Sequence, residues 1–77
     1  ELDIRGMETL EAESVMETFL SSAVMGHLET VTIIHGKGTG ALRKAVHDIL
    51  RRNKNVKSFR LGVYGEGENG VTVVTLK

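Results

Sequence analysis

The stretch Val31-Thr32-Ile33-Ile34-His35-Gly36-Lys37-Gly38-Thr39-Gly40-Ala41-Leu42-Arg43 decides the fold. Its first four residues are β-branched throughout, which predicts a buried strand. Glycines at 36, 38 and 40 break that strand. Leu42, Ala45, Val46, Ile49 and Leu50 then recur at helical spacing up to about Asn53. On the amino-terminal side, Ala12, Val15, Met16, Phe19, Leu20, Ala23 and Val24 mark one face of a helix. Thr9 is its expected N-cap, Glu11 and Glu13 suit its positive end, and Gly26 is its expected stop. Leu2-Asp3-Ile4 alternates as a short strand that ends at Gly6. On the carboxyl side, Ser58–Leu61 reads as a third strand, 62–70 as a flexible loop with four of the nine glycines, and Val71–Leu76 as a fourth strand of strong β propensity.

The order is therefore βαβαββ. It predicts an α/β (α+β) two-layer sandwich, with a four-stranded mixed sheet and two helices. Two crossover helices imply parallel pairing of strands 1, 2 and 3, and a direct loop implies an antiparallel strand 4.

Length and composition narrow the class further. The 77 residues fit one domain, 1–77, and exclude a two-domain enzyme. A first residue that is Glu rather than Met reads as a domain excised from a larger protein. With no cysteine there is no disulfide framework, thiolate zinc site or thiol nucleophile, and a reducing, cytoplasmic setting is permitted. No apolar run reaches 18 residues, so no membrane span is expected. The net charge of zero hides an asymmetry. Residues 1–30 carry seven acids against one base, residues 37–60 eight bases against Asp48, and residues 61–77 Glu66 and Glu68 against Lys77, giving −6, +7 and −1. The basic third suits a polyanion, or else acidic neighbours within the same protein.

The loop His35–Gly40 leaves a buried strand and enters a helix, where backbone N–H groups and the helix dipole favour an anion. It lacks the spacing of a Walker A loop. Lys37, Gly36, Gly38, Thr39 and Gly40 are the phosphate-binding candidates, with Arg43 and Lys44 on the helix that follows. Thr39 could equally be the helix N-cap and Lys37 a solvated lysine. His35, at the carboxyl end of a strand, suits acid–base work near neutral pH or a loop hydrogen bond. His27 and His47 read as surface residues. Gly65-Glu66-Gly67-Glu68-Asn69-Gly70 matches G-x-G-x-x-G literally but precedes a strand, which argues against dinucleotide binding. A solvated turn is the default reading of that segment, with Glu66 and Glu68 beside Asp3 as the alternative ligands of a divalent metal, Asp3 and Glu66 foremost. Phe19 and Phe59 fall at core positions, and Tyr64 alone is a poor platform for stacked bases.

Leu2-Asp3-Ile4-Arg5-Gly6, the run Ile34–Arg43 and the segment Gly65–Val73 together resemble the Smr (small MutS-related) domain. The similarity covers nearly the whole chain, and its central run is most like the domain that ends the second type of bacterial MutS homologue. It implies the fold of the carboxyl-terminal domain of translation initiation factor three. It also implies DNA or RNA binding, endonuclease or nicking activity in several members, and ribosome association in others. The resemblance maps the first family motif onto Leu2, Asp3, Arg5 and Gly6, and the second onto His35, Gly36, Gly38 and Gly40. Members that cleave RNA often have Asp-x-His where this chain has Asp3-Ile4-Arg5, and arginine cannot shuttle protons. Glu68-Asn69 stands where a Gly-x pair is usual.

The expectation is a cytoplasmic nucleic-acid-binding module of a MutS-like recombination or repair protein, or of a ribosome-rescue protein, oligomeric through other domains. In the cleaving form, His35, Asp3 and Arg5 are catalytic, with Mg²⁺ or Mn²⁺ as the cofactor to test. The alternative is a non-catalytic nucleic-acid or ribosome docking module. Binding through the +7 segment should be sequence-tolerant and steeply salt-dependent. With roughly three to five phosphates neutralised, log K against log salt should slope about −2 to −4.5. Replacing Arg43 and Lys44 together with glutamine should flatten that slope in fluorescence anisotropy titrations, and replacing Glu13 and Glu17 should not. An unaltered slope in the Arg43/Lys44 variant would remove this helix from the binding face.

Overall fold

The computed structural model describes residues 1–65 and 67–77. Strand β1 (Leu2–Asp3) leads into helix α1 (Thr9–Met25), then β2 (Thr30–Ile34), α2 (Ala41–Arg52) and β3 (Val56–Leu61). A single 3-10 turn, Glu68–Gly70, precedes β4 (Val71–Leu76). The βαβαββ order stands, as does the two-layer build. One core unites Ala12, Met16, Leu20 and Ala23 of α1 and Val46, Ile49 and Leu50 of α2 with Val31, Ile33, Val74 and Leu76 of the sheet. Those sheet residues alternate along their strands and so share one face, so both helices cover that face. Thr30, Thr32 and Thr75 occupy the other.

Strand pairing differs from the expectation in one respect. The sheet order is β1-β2-β4-β3: β1 is parallel to β2, and β4 lies antiparallel between β2 and β3. The first three strands do run in one direction, but β2 and β3 do not pair. Side chains explain the exchange. Four of the six residues of β4 are buried, and its sequence holds no charge. Strand β3 exposes Lys57, Ser58 and Arg60. A strand carrying two cations belongs at an edge, where they also discourage pairing with other chains.

Helix boundaries shift slightly. Thr9 is the first residue of α1 rather than its N-cap; Glu8 holds the cap position in extended backbone, without a side-chain cap. The expected flexible loop 62–70 contains, among its described residues, the 3-10 turn Glu68–Gly70 and a close approach at Gly62. It folds across Val71, so closely that a Cβ at Gly62 would lie 2.6 Å from the valine Cγ2.

Gly26 does end α1, yet the left-handed residue is His27, at φ 58°. The Leu28 N–H donates to the Ala23 carbonyl (3.0 Å) and the His27 N–H to the Val24 carbonyl (3.1 Å). This is the Schellman pattern, with histidine in the place glycine usually takes. A non-glycine residue in this conformation costs roughly 1–2 kcal/mol, partly offset by the greater unfolded-state freedom of glycine. His27→Gly should therefore stabilise the domain by about 0.5–1 kcal/mol, a rise in Tm of several degrees at this chain length. A lowered Tm by calorimetry would contradict this.

Candidate functional site

Parallel pairing of β1 with β2 sets Asp3 beside Ile34, and the Ile4 N–H donates to the Ile34 carbonyl at 2.9 Å. The chain segments that follow, Arg5-Gly6 and His35-Gly36, therefore leave the sheet side by side. The Arg5 stem lies over Gly36, where an added Cβ would meet its Cγ at 3.4 Å. Asp3 and Arg5 form a two-pronged pair, with Nη2 donating to Oδ2 at 2.7 Å and Nε to Oδ1 at 3.0 Å. The Arg5 backbone N–H also donates to Oδ1, at 3.0 Å. These donors hold the solvent-exposed Asp3 carboxyl down at about 2, the side-chain bond from Arg5 contributing most. The same pairing raises the Arg5 guanidinium further above its ordinary value.

The loop from 36 to 40 takes its shape from three left-handed glycines, with φ of 79°, 36° and 87° at Gly36, Gly38 and Gly40. Side chains there would be strained. Gly40 is the N-cap position of α2, and Thr39 Oγ1 accepts the Ala41 N–H one residue inside it (3.3 Å). Arg43 folds back over Gly40. Lys37 reaches across to Glu68, with Nζ donating to Oε2 at 3.2 Å. Glu68 itself has φ 52°, a conformation in which glycine is unstrained. The departure from the usual Gly-x pair thus places a carboxylate on Lys37 at the expense of backbone strain.

An open groove of about 560 Å³ runs along this loop. The first turn of α2 forms one wall and Met7–Leu10, entering α1, the other. Two helix amino termini therefore converge on one groove, each with unpaired backbone N–H groups and a positive dipole end. Lys37 and Arg43 border it as cations, and Glu8 as an anion.

Asp3, Arg5, His35, Lys37, Gly36, Gly38, Thr39, Gly40 and Arg43 thus gather at one end of the sheet. Lys44 does not join them. Its ammonium pairs along the helix with Asp48 at 3.2 Å, and Arg51 pairs with the same carboxylate at 3.0 Å. Glu66 lies outside the described residues. Among the described residues no three His, Cys, Asp or Glu side chains are grouped to hold a metal ion, and the Asp3 carboxylate is already engaged by Arg5. The described donors alone do not form a divalent-cation site.

His35 is 5% exposed, with both ring nitrogens engaged: Nδ1 lies 2.8 Å from the Gly36 carbonyl oxygen and Nε2 2.8 Å from Thr72 Oγ1. His47 is not the surface residue expected. It is half-buried, with Nε2 2.8 Å from the same Thr72 hydroxyl and its ring packed on Phe59 at 4.9 Å between centroids. Burial, above all, and then the nearby His35, Arg51 and Arg43 push its pKa down, against a smaller opposing effect of Asp48. Thr72 and His47 are the site residues that sequence reasoning missed. Thr72 left a signal, since it is the only polar residue among Thr72, Val74 and Leu76 on the inward face of β4.

The architecture is that of a two-layer α+β domain with a glycine loop at the carboxyl ends of paired parallel strands. The Smr domain family model matches residues 2–77, and the chain belongs to that family. It is 58% identical over 76 residues to an endonuclease MutS2 from Clostridium novyi, covering 99% of this chain and 10% of that protein. It is 56% identical over 77 residues to the endonuclease MutS2 of Ruminiclostridium cellulolyticum, again covering 10% of the relative. The chain thus spans about a tenth of the length of the curated relatives it matches. The crystal structure of the Smr domain of Thermus thermophilus MutS2 superposes with a TM-score of 0.96 at 46% identity, covering 99% of this chain and 95% of that one. YdaL, a stand-alone small MutS-related protein from Escherichia coli, shares the fold, with a TM-score of 0.89 at 23% identity over 97% of this chain and 63% of its own.

The Asp3–Arg5 pair makes a titration test. In carbon-13 NMR the Asp3 carboxyl should titrate at about 2, and in Arg5→Ala it should return toward the ordinary 3.8. A lowered folded-state value means that the contribution of the pair to stability is present above the unfolded value and fades as pH falls toward 2. An Asp3 carboxyl that titrates normally in the wild type would show that the pair does not persist in solution.

Proposed function

We propose that this groove binds the phosphate backbone of nucleic acid and that the chain, as one domain of a longer cytoplasmic protein, cuts a phosphodiester there. The observation that carries the reading is the convergence of two helix amino termini and the three-glycine loop on one groove, with Lys37 and Arg43 lining it and the Arg5 stem over Gly36. Backbone N–H groups and dipole ends make a preorganised anion site that needs no reorganisation when charge develops in a transition state. The relatives named endonucleases supply the reaction class.

Each residue then has a physical role. Arg5 supplies a fixed positive charge and a planar fork that suits a phosphate as well as a carboxylate, but no proton. Asp3 holds that fork in place until a phosphate oxygen replaces it. Lys37 makes the same exchange with Glu68, and Arg43 covers the entry to α2. His35, buried with both nitrogens engaged, orients the loop rather than meeting the phosphate. Backbone N–H groups and flexible cations suit phosphate oxygens rather than base edges, which supports sequence-tolerant binding.

Single substitutions test this in anisotropy titrations of one labelled oligonucleotide. Lys37→Gln should weaken binding and reduce the salt slope by about 1, as expected for one phosphate contact. Glu68→Gln should strengthen binding, because it frees Lys37 from its carboxylate. Nicking of supercoiled plasmid, measured with and without Mg²⁺ or Mn²⁺ and beside a His35→Ala control, tests the cleaving step. Ribosome binding without affinity for naked nucleic acid, even at low salt, would replace this reading with a docking module.

A further inference from the structure

Two imidazoles converge on one buried hydroxyl. Thr72 is fully buried, and both His35 Nε2 and His47 Nε2 lie 2.8 Å from its Oγ1. A hydroxyl has one proton to give, so in the neutral network it can donate to only one of them. The far side of His35 shows which. Its Nδ1 lies 2.8 Å from the Gly36 carbonyl oxygen, which can only accept, so Nδ1 carries the proton. Neutral His35 then has a bare Nε2 that accepts from Thr72 Oγ–H, and Thr72 Oγ accepts from His47 Nε2–H. A single directed chain results, from His47 through Thr72 and His35 to the Gly36 carbonyl. It leaves no described buried side-chain donor or acceptor without a partner.

The surroundings favour this arrangement. His47 sits on α2 among Arg43, Arg51 and Asp48, against Phe59 of β3 and edge-on to His35 at 6.2 Å. Burial first, then His35 and the two arginines, push its pKa down, which favours the neutral ring, and a neutral ring can be a one-sided donor. The consequence appears at the other end of the chain. In a trans peptide the C=O and the following N–H point in opposite directions. A Gly36 carbonyl turned onto the His35 ring therefore aims the Lys37 N–H the other way. Both residues line the groove.

We propose that Thr72 and His47 are positioning residues of the groove: they fix the tautomer of His35 and, through it, the orientation of the Gly36–Lys37 peptide. The tautomer half of this stands on the hydrogen-bond geometry alone, and the effect on binding rests on the phosphate-binding reading above. Neither residue touches the ligand.

The two halves have separate readouts. Long-range proton–nitrogen NMR of the imidazoles, at a pH where His35 is neutral, should show a protonated Nδ1 and a bare Nε2 on His35. Thr72→Val removes the donor and should turn His35 into a mixture of tautomers, with oligonucleotide affinity lowered about three- to tenfold. Thr72→Ser should restore both. His47→Phe keeps a ring against Phe59 but removes the first donor, and should give a smaller change in the same direction. A wild-type His35 protonated at Nε2, or a folded Thr72→Val that keeps the wild-type tautomer, would overturn the proposal. So would normal affinity in a Thr72→Val whose tautomer had changed. A wild type that shows the expected tautomer but binds no oligonucleotide would leave the hydrogen-bonded chain standing and overturn the phosphate reading instead.

Discussion

The site depends on a two-residue strand. Strand β1 contributes only the pairs Leu2–Ile33 and Asp3–Ile34 to the ladder, with one more backbone bond from the Ile4 N–H to the Ile34 carbonyl. So short a ladder is weak by itself. Burial of Ile4 and Ile33, both fully inaccessible, holds it in register. A slip of one residue would turn Ile4 outward and Asp3 into the core. The same register that satisfies the core thus sets Arg5 over Gly36. Hydrophobic packing fixes the charged site.

A second constraint ties the glycine loop to β4. The Gly70 carbonyl accepts two backbone donors, the His35 N–H at 3.1 Å and the Gly36 N–H at 2.9 Å. A Cβ at Gly70 would lie 3.4 Å from the Lys37 side chain, so the chain passes closely here. Strand β4 therefore does more than fill the middle of the sheet. Its Thr72 hydroxyl and the Gly70 carbonyl of the turn just before it anchor the loop from below, while β1 fixes it from the side. A left-handed glycine loop has little conformational preference of its own, so its shape is imposed by neighbours.

Much of this was legible in the sequence. The β-branched run 31–34 and the helical spacing of 12–24 and 42–50 give elements within a residue or two of those found. The two motifs meet because both follow strands that run in the same direction. What stayed hidden depends on partners distant in sequence. The insertion of β4 between β2 and β3 is a contest between strands, won by the uncharged one, and a strand-by-strand reading does not weigh it. His47 shares the polar side of α2 with Arg43 and Arg51, which predicts a solvated ring; only the approach of Thr72, 25 residues away, makes it a half-buried partner. The i,i+4 pairing of Lys44 with Asp48 is invisible to a count of charges by segment.

The charge asymmetry of the chain can now be placed. The basic third includes helix α2, but Lys44 and Arg51 share Asp48, and the Arg52 Nε donates to its carbonyl at 3.2 Å. On that helix one carboxylate thus serves two cations. Beside the glycine loop Arg5 and Lys37 each have a carboxylate of their own, and all four pairs are exposed. Exposed pairs are worth little, typically about 0–1 kcal/mol each, so a phosphate oxygen can displace the carboxylate at small cost. In the free domain the same carboxylates keep two cations close to the loop and limit indiscriminate attraction of anions. On the proposed phosphate-binding reading, a site built from weak pairs becomes strongly positive only where a ligand exchanges with them, which would favour an anion that can reach Arg5, Lys37 and the helix termini together over one that meets a single charge.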